Sequence, residues 1–312
     1  MPITGHKNIK IVVPTLDSYL ILPRLINSLK KQTWTDWNLL FIDGDSNKDH
    51  YEWIRKSCID DPRLKYIKGS TLDIFKILNK YKKKIDSVFH FGEFSRIYQS
   101  FKMFNQCYLS NSIGSQTVFK FCLENKIRLI YSATSASIGN NGKDQNLSPY
   151  AYSKAKNLEL LENLKTWFNF KFEVIYFYNV YGPKQISKGN MATVIGIFEN
   201  QYRKKKPLTV VRPGSQTRSF THIEDTVNTC FLAWKLRKYK HYSISHKKSY
   251  SIEQVAKMFM SKVKYLPPRK GERYASALTS FSYNNKVTKK FGKIDLKDYI
   301  TSFIKSAQNY EN

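Results

Sequence analysis

Apolar and polar stretches alternate along the chain, and the pattern predicts strands and helices in turn. Short apolar runs bounded by turn-forming residues are typical of buried parallel strands. These runs lie at residues 9–13, 38–43, 64–68, 87–91, 128–132 and 172–178. Longer segments of helix-forming composition lie at about residues 19–31, 72–82, 98–124 and 150–168. The alternation predicts an α/β fold with a doubly wound parallel sheet, whose ligands bind at the carboxyl ends of the strands.

The last third of the chain is less regular. Helices are predicted there at about residues 192–205, 224–235, 252–263 and 296–307. A chain of 312 residues can bury a substantial core, either as one large α/β unit or as two lobes. No internal repeat or low-complexity linker interrupts it, so composition alone does not place a domain boundary.

Composition narrows the environment in which the protein is expected to work. No run of about 18 apolar residues occurs, so we expect no transmembrane helix and no membrane partner. Residues 1–7 lack the apolar core of a signal peptide, and the four cysteines are scattered without metal-ligand spacing. We therefore expect a cytoplasmic protein without a metal site, whose cysteines are small buried residues in a reducing compartment.

The formal net charge of +28 raises the question of an anionic partner, because a basic surface attracts phosphates in general. The lysines are spread through the chain, with short basic clusters at residues 82–84 and 203–206. No recognised nucleic-acid-binding motif accompanies them. We therefore expect no nucleic-acid partner.

The strongest candidate for chemistry is the segment that begins the predicted helix at residues 150–168. Pro149 precedes Tyr150, and proline is favoured at the first position of a helix. Tyr150 and Lys154 are four residues apart, so they share one helical face. The spacing alone is not diagnostic, because three other pairs have it and are expected to be solvated helix surface: Tyr98/Lys102, Tyr152/Lys156 and Tyr202/Lys206.

The residues around this pair follow a recognisable order. Before it, an apolar strand runs into a hydroxyl-rich turn that contains Thr134. After it come Asn179-Val-Tyr181-Gly-Pro, then Arg218-Ser-Phe-Thr-His-Ile-Glu-Asp, then Pro-Arg269-Lys-Gly-Glu. In this order and spacing the motifs resemble the NAD-dependent epimerase/dehydratase family, extended short-chain dehydrogenase/reductases that act on nucleotide sugars. The resemblance covers about residues 62–312.

This resemblance implies catalytic roles for three residues. Tyr150 would be the acid/base, Lys154 its activator, and Thr134 would hydrogen-bond the reacting sugar hydroxyl. An ordinary phenol has a pKa near 10, and a lysine charge at about 4 Å in an effective dielectric of about 20 would remove about three units. Ser135-Ala stands where the 4,6-dehydratases carry an Asp-Glu pair. The resemblance therefore favours an isomerase, a 4-epimerase working through a transient keto sugar, over a dehydratase.

The resemblance also implies NAD as the cofactor. Asp43 ends the second predicted strand, where the acid of a dinucleotide-binding fold hydrogen-bonds the adenosine ribose and favours NAD over NADP. Gly92 lies where the backbone of the family passes the cofactor. Lys154 and Asn179 are the other residues expected to contact it.

The substrate side of the site follows from the same resemblance. Asn179 and Tyr181 match residues that line the nucleotide-sugar pocket. Arg218 and Arg269 match arginines that grip the substrate diphosphate, a role that suits the bidentate guanidinium. The expected substrate is a UDP-sugar, in surface polysaccharide or sugar-nucleotide metabolism, and a homodimer is left open.

The family pattern also implies a division of the chain into two parts. Residues 1–178 would form a Rossmann-like nucleotide-binding domain, to which a segment at about residues 215–240 returns. Residues 179–214 and 241–312 would form the smaller C-terminal substrate-binding lobe.

The first strand-to-helix turn departs from the family pattern. A dinucleotide-binding sheet needs glycines there, so that the backbone can approach the pyrophosphate at the helix N-terminus. The turn here is Pro14-Thr-Leu-Asp17-Ser-Tyr, and no glycine occurs between Gly5 and Gly44. Because Asp17 would place a negative charge near the phosphates, we expect NAD binding to be weak or absent.

Residues of about 8–60 instead resemble the N-terminal part of a family-2 glycosyltransferase. The matching pieces are Ile11-Val-Val-Pro-Thr-Leu-Asp, Ser28-Leu-Lys-Lys-Gln-Thr and Phe41-Ile-Asp-Gly-Asp-Ser. The metal-binding Asp-x-Asp of that family is expected after a later strand, where this chain has His90-Phe-Gly-Glu. Three hypotheses remain: an NAD-dependent epimerase, which we favour, a cofactor-less nucleotide-sugar-binding pseudoenzyme, and a family-2 glycosyltransferase.

Overall fold

The computed structural model describes residues 9–15, 37–43, 61–137, 146–183, 185–271 and 287–309. Parallel strands and helices alternate through these ranges, as the apolar pattern predicts. The strands are β1 (Ile9–Thr15), β2 (Trp37–Asp43), β3 (Leu64–Lys68), β4 (Ile85–His90), β5 (Arg128–Thr134), β6 (Phe172–Phe177), β7 (Asn179–Tyr181), β8 (Leu208–Val211), β9 (Thr217–His222), β10 (His241–Ser245), β11 (Ser249–Ser251), β12 (Val263–Leu266) and β13 (Val287–Phe291).

Eight of these strands form one sheet, in the order β13-β10-β6-β5-β4-β1-β2-β3. The pairs β1–β2, β1–β4, β2–β3, β4–β5 and β10–β13 are all parallel. β1 lies between β2 and β4, so both described strands of the first 60 residues belong to the main sheet. The prediction of a single parallel sheet that includes the N-terminal segment is therefore confirmed.

Helices connect and cover the strands. Within the described ranges they are α1 (Ile74–Leu78), α2 (Ile97–Lys102), α3 (Phe104–Tyr108), α4 (Ser115–Glu124), α5 (Pro149–Phe168), α6 (Val194–Arg203), α7 (Ile223–Leu236), α8 (Ile252–Met258) and α9 (Leu296–Asn309). The helix predicted at residues 98–124 is interrupted, because a π-helical turn at Leu109–Gly114 separates α3 from α4. None of the described helices is long and apolar enough to cross a membrane.

Two compact units make up the chain. The first contains the described residues of Met1–Phe94, Asn105–Ser132 and Lys156–Val174, and the second those of Ser95–Phe104, Ala133–Ala155 and Ile175–Asn312. Boundaries between these units fall inside α3, β5, α5 and β6. The division of the chain at residue 178 stays a prediction. The late strands that join the main sheet are β10 and β13, which lie C-terminal to the segment predicted to return, about residues 215–240.

The first unit is built around apolar strand residues. Val88, Leu129 and Ile130 are completely buried, and Phe89 is nearly so. Ile67 is half-buried, because β3 is the edge strand of the sheet. The core positions are therefore predicted best for the central strands, which are covered on both faces.

The second unit has its own core, built where α6, α8 and α9 pack with β8 and β9. The rings of Phe198, Phe220 and Phe259 are fully buried in this core. Two small sheets, β11-β9-β7 and β12-β8, complete this unit. They carry the motifs that begin at Asn179 and Arg218.

Candidate active site

Helix α5 begins where the sequence predicts. Ser148 caps it, since its Oγ accepts a hydrogen bond from the backbone N–H of Ala151 at 3.1 Å. The carbonyl of Ser148 accepts the N–H of Tyr152 at 3.0 Å, and Pro149 occupies the first helical position. The cap therefore places Tyr150 in the first turn of the helix.

Tyr150 and Lys154 occupy the buried face of α5. Tyr150 is 9% exposed and Lys154 is 3% exposed, although lysine is among the residues least often buried. The neighbouring pair points the other way: Tyr152 is 51% exposed, and Lys156 lies at the surface, 2.6 Å from Glu159. The second unit thus encloses a tyrosine and a lysine one turn apart, and their catalytic roles stay a prediction.

The other pairs with this spacing differ from Tyr150 and Lys154. The Nζ of Lys102 lies 5.0 Å from the ring centroid of Tyr98, and Lys102 is exposed. The ring of Tyr202 packs against Phe259, while Lys206 is exposed. Burial of both partners therefore distinguishes Tyr150/Lys154 from the surface pairs.

Thr134 is the last residue of β5 and is 7% exposed. Its Oγ1 accepts a hydrogen bond from the backbone N–H of Ala136 at 3.2 Å, which stabilises the tight turn at Ser135–Ser137. Thr134 belongs to the same compact unit as Tyr150 and Lys154. A buried hydroxyl at the carboxyl end of a parallel strand is where this fold places ligand-binding groups.

Three of the four predicted substrate residues differ in their exposure. Asn179 begins β7 and is half-buried, with its Nδ2 donating to the carbonyl of Ser219 at 2.9 Å. Arg218 lies on β9, 7% exposed, and its Nη1 donates to the carbonyl of Thr217 at 2.8 Å. Arg269 is exposed, and its guanidinium lies 5.5 Å from the ring centroid of Tyr98.

The fourth, Tyr181, is buried in the core of the second unit. It is 1% exposed, and its hydroxyl donates to the carbonyl of Ile294 at 2.8 Å. Its ring packs against Phe220, His222 and Tyr299. Burial, followed by the charges of nearby acidic groups, first Asp295 and Asp225, raises the pKa of this phenol well above its usual value. Tyr181 thus lies in the core of the second unit, and its predicted place in the substrate pocket stays a prediction.

The residues predicted to hold NAD lie at strand ends. Asp43 is the last residue of β2, opposite Thr15 of β1 and Lys68 of β3 in the parallel registers. Gly92 is buried just after β4 ends at His90. Asp17, on which the prediction of weak NAD binding depends, lies outside the described residues.

A cluster of buried polar residues, the Glu93 cluster, was not foreseen from the sequence. The Oε1 of Glu93 accepts hydrogen bonds from the Oγ of Ser115 at 2.7 Å, the hydroxyl of Tyr131 at 3.0 Å and the Nδ2 of Asn157 at 3.3 Å. All four residues are at most 5% exposed. The signal that could have found the cluster is the glutamate of His90-Phe-Gly-Glu93, since a charged residue next to a buried strand needs partners.

The Glu93 cluster contacts helix α5, which carries Tyr150 and Lys154. Asn157 lies three residues after Lys154 on α5, so the two side chains are on neighbouring positions of one helical face. Its Nδ2 also donates to the carbonyl of Asn111, in the π-helical turn, at 2.6 Å. The cluster therefore ties α5 to the end of β4, to β5 and to the π-helical turn.

The described residues also include three cysteines, but no cluster that meets the requirements of a metal site. Cys107, Cys122 and Cys230 are buried, and burial raises the pKa of the Cys122 and Cys230 thiols. Across the described ranges, no group of three or more His, Cys, Asp or Glu side chains is arranged to hold a metal ion.

Comparison with curated proteins identifies relatives of partial length. The chain is 27% identical over 183 residues to the "Uncharacterized UDP-glucose epimerase YtcB" of Bacillus subtilis, which covers 55% of each protein. It is 25% identical over 214 residues to the ADP-L-glycero-D-manno-heptose-6-epimerase of Fusobacterium nucleatum, covering 62% of each. The matches thus span little more than half of these relatives' length.

Solved structures resemble the whole chain. A mutant UDP-glucuronic acid 4-epimerase from Bacillus cereus, in complex with UDP-4-deoxy-4-fluoro-glucuronic acid and NAD, superposes with a TM-score of 0.81 at 21% identity, covering 97% of this chain and 100% of that one. The UDP-glucose 4-epimerase of Thermotoga maritima with UDP-glucose gives a TM-score of 0.76 at 18% identity, with the same coverage. At these identities the similarity establishes the Rossmann-type fold.

A family model settles the relationship. The model of the NAD dependent epimerase/dehydratase family matches residues 23–245, which is more than half of the chain. The match begins inside the segment that resembles a family-2 glycosyltransferase and leaves out the glycine-free turn at residues 14–19. The chain belongs to the NAD dependent epimerase/dehydratase family.

Proposed function

We propose that this protein is an NAD-dependent nucleotide-sugar epimerase, acting at C4 of a UDP-sugar through a transient keto sugar. The observation that carries the proposal is the burial of Tyr150 and Lys154 on one face of α5, with Thr134 buried at the end of β5. The pairs with equal spacing elsewhere lie at the surface. Family membership adds the class of chemistry.

The roles of the three residues follow from their chemistry. Thr134 hydrogen-bonds the reacting sugar hydroxyl and orients it. Tyr150 takes the proton of that hydroxyl as the keto sugar forms and returns it when the new epimer forms. Lys154 supplies the positive charge that makes the phenolate accessible near neutral pH, and its burial strengthens the effect because little water screens it.

NAD is the cofactor of the family to which the chain belongs, and four residues are proposed to hold it. Gly92 is buried just after β4, Asp43 ends β2, and Lys154 is a buried cation next to the proposed acid/base. When bound, NAD supplies reversible hydride transfer at the sugar carbon. Asp43 would bind the adenosine ribose, Gly92 would let the backbone pass the cofactor, and Lys154 and Asn179 would contact its nicotinamide end.

Binding of the nucleotide-sugar substrate is assigned to Arg218, Arg269 and Asn179. A diphosphate carries two negative charges, and guanidinium groups bind it with paired, charge-assisted hydrogen bonds. Arg218 is nearly buried, so a phosphate bound to it would be shielded from water, whereas exposed Arg269 would approach from the rim. UDP-sugars are the ligands of several related 4-epimerase structures, which supports this substrate class.

The setting of the reaction belongs to the same proposal. Buried thiols at Cys122 and Cys230 fit a reducing cytoplasm, and sugar-nucleotide or surface polysaccharide metabolism would use the product. A homodimer is proposed through exposed apolar side chains of the first unit. Tyr108 and Leu109 are 48% and 47% exposed, and Ile113 follows one turn later at 38%.

Matched tyrosine variants test the catalytic assignment. Tyr150→Phe should lower kcat by at least about a hundredfold, because general acid–base catalysis contributes roughly 10²–10⁴-fold. Tyr152→Phe, two residues on and exposed, should leave kcat unchanged. Equal activity of Tyr150→Phe and the wild type in a coupled UDP-hexose epimerase assay would refute the assignment.

A further inference from the structure

Arg96 makes a contact that the proposed chemistry does not use. It precedes α2 in an extended conformation, with φ −128° and ψ 122°. Its Nε donates to the backbone carbonyl of Met191 at 3.0 Å, and its Nη2 donates to the same oxygen. Three residues further on, the Nε2 of Gln99 is 3.5 Å from the Oδ1 of Asn190. The start of α2 is thus attached to a segment about 95 residues away in the chain.

The attached segment, loop 185–193, is internally braced. The N–H of Thr193 donates to the carbonyl of Ile186 at 3.0 Å, and that of Ala192 to Gly189 at 3.3 Å. The Oγ1 of Thr193 donates to the Oε1 of Gln185 at 2.8 Å and accepts the N–H of Gly196, capping α6. Because these bonds join both ends of the loop to the first turn of α6, we expect the loop to move as one piece.

The guanidinium of Arg96 is held in one orientation. Its Nη1 donates to the carbonyl of Ser95 at 3.0 Å, while the other edge faces Met191. Arginine's planar fork can donate from two nitrogens to one oxygen while it holds a second. The shorter ammonium of a lysine would keep the charge and lose this geometry.

The same short helix contacts a second segment of the substrate side. The ring of Tyr98 lies under the guanidinium of Arg269, at 5.5 Å, and the Nζ of Lys270 lies 4.8 Å from the ring centroid of Phe101. Gly271 lies so close to Phe101 that an added Cβ would be 2.7 Å from its ring. Helix α2 therefore contacts both the loop that follows the Asn179 motif and the segment that carries Arg269.

We propose that Arg96 is a positioning residue for nucleotide-sugar binding. It acts through the Met191 carbonyl, by holding loop 185–193 against the start of α2, and it does not touch the reacting atoms. The assignment rests on the proposed function, because loop 185–193 directly follows the motif assigned to the substrate. A positioning role requires the planar guanidinium at residue 96, so a lysine should not replace it. A purely electrostatic role would require only the positive charge, which a lysine keeps.

Steady-state kinetics separate the two roles. In both Arg96→Ala and Arg96→Lys the KM for the UDP-sugar should rise about tenfold, because the charged guanidinium no longer donates hydrogen bonds to the Met191 carbonyl. The kcat should change less than about twofold. Lys102→Ala removes an exposed cation from the same helix and should leave KM unchanged. Recovery of wild-type KM in Arg96→Lys, or an unchanged KM in Arg96→Ala, would overturn the proposal.

Hydrogen–deuterium exchange tests the contact independently of activity. In Arg96→Ala, peptides that cover residues 185–196 should exchange at least about tenfold faster, because the loop opens more often. Peptides covering the amide of Glu253, which bonds to Gly214 in the same unit, should exchange as in the wild type. Unchanged exchange at 185–196 would overturn the Arg96 proposal and leave the epimerase proposal standing. Faster exchange at 185–196 in Arg96→Ala, together with a wild type that lacks epimerase activity, would support the Arg96 contact and overturn the epimerase proposal.

Discussion

Replacing Glu93 tests whether the buried polar cluster holds α5 in place. The Oε1 of this carboxylate accepts hydrogen bonds from Ser115, Tyr131 and Asn157, and Glu93 is 5% exposed. Glu93→Ala removes the acceptor and leaves three donors in a buried site. Glu93→Gln keeps an oxygen at the same position and removes the charge.

The size of the effect follows from these contacts. A hydrogen bond to a charged group is worth about 1.5–3 kcal/mol, and a buried donor without an acceptor costs about 1–3 kcal/mol. Asn157 and Tyr131 keep their bond to each other at 3.0 Å, and Ser115 keeps its bond to His90 at 2.9 Å, so the loss is smaller than for three side chains left without any partner. We therefore expect Glu93→Ala to lower the free energy of unfolding by about 3–4 kcal/mol, and Glu93→Gln by about 1 kcal/mol.

Urea denaturation followed by circular dichroism measures both values if the slope of the transition is unchanged. Glu159→Ala is the matched control, since it removes an exposed carboxylate of α5 paired with Lys156 and should cost at most about 1 kcal/mol. Equal destabilisation by the alanine and glutamine variants would show that the charge, not the acceptor oxygen, matters. A loss below about 1 kcal/mol in Glu93→Ala would refute the role of the cluster.

Three further predictions concern ligands and pH. Arg218→Ala should weaken UDP binding by about 1.5–3 kcal/mol in titration calorimetry. The control Arg212→Ala, which replaces an exposed arginine above a tyrosine ring, should leave the affinity unchanged. Equal affinities of Arg218→Ala and the wild type would remove Arg218 from the site. Asp17→Gly should strengthen NAD binding by removing a charge and a Cβ from the first turn, and unchanged NAD affinity would count against that placement. At Asp295, burial alone would raise the pKa, but hydrogen bonds from Lys248 and the backbone outweigh it and lower the pKa below 3.8. Its stabilisation is therefore present above about pH 4 and is lost as the pH falls through the lower, folded value, so Asp295→Asn should destabilise the protein at pH 7 and less at pH 3; a pH-independent difference would contradict this.

The fold could be predicted from the sequence wherever local pattern decides the structure. Apolar runs give the central strands, and Pro149 gives the start of α5, because proline is favoured at the first position of a helix. The sequence does not show that β10 joins the main sheet, because His241-Tyr-Ser-Ile-Ser alternates polar and apolar residues and identifies no partner strand. The N-terminal resemblance to a glycosyltransferase stays a prediction.

The candidate site was only partly predictable, since its supporting contacts are distant in the chain. The partners of Glu93 lie 22, 38 and 64 residues away, and only the folded sheet brings them together. The hydrogen bond from the Tyr181 hydroxyl to Ile294, 113 residues further on, likewise has no signal in the sequence around Tyr181. The family and the fold are confirmed, while the roles of Tyr150, Lys154 and Thr134 stay predictions.

The most direct test of the account is the conversion of a UDP-sugar by the purified protein in D2O, with NAD supplied, followed by proton NMR. The account predicts that UDP-glucose or another UDP-hexose is converted to its C4 epimer. Because the hydrogen at C4 leaves and returns as a hydride, no deuterium should enter that position. No conversion of any UDP-hexose at saturating NAD, or conversion with deuterium incorporated at the inverted carbon, would contradict it.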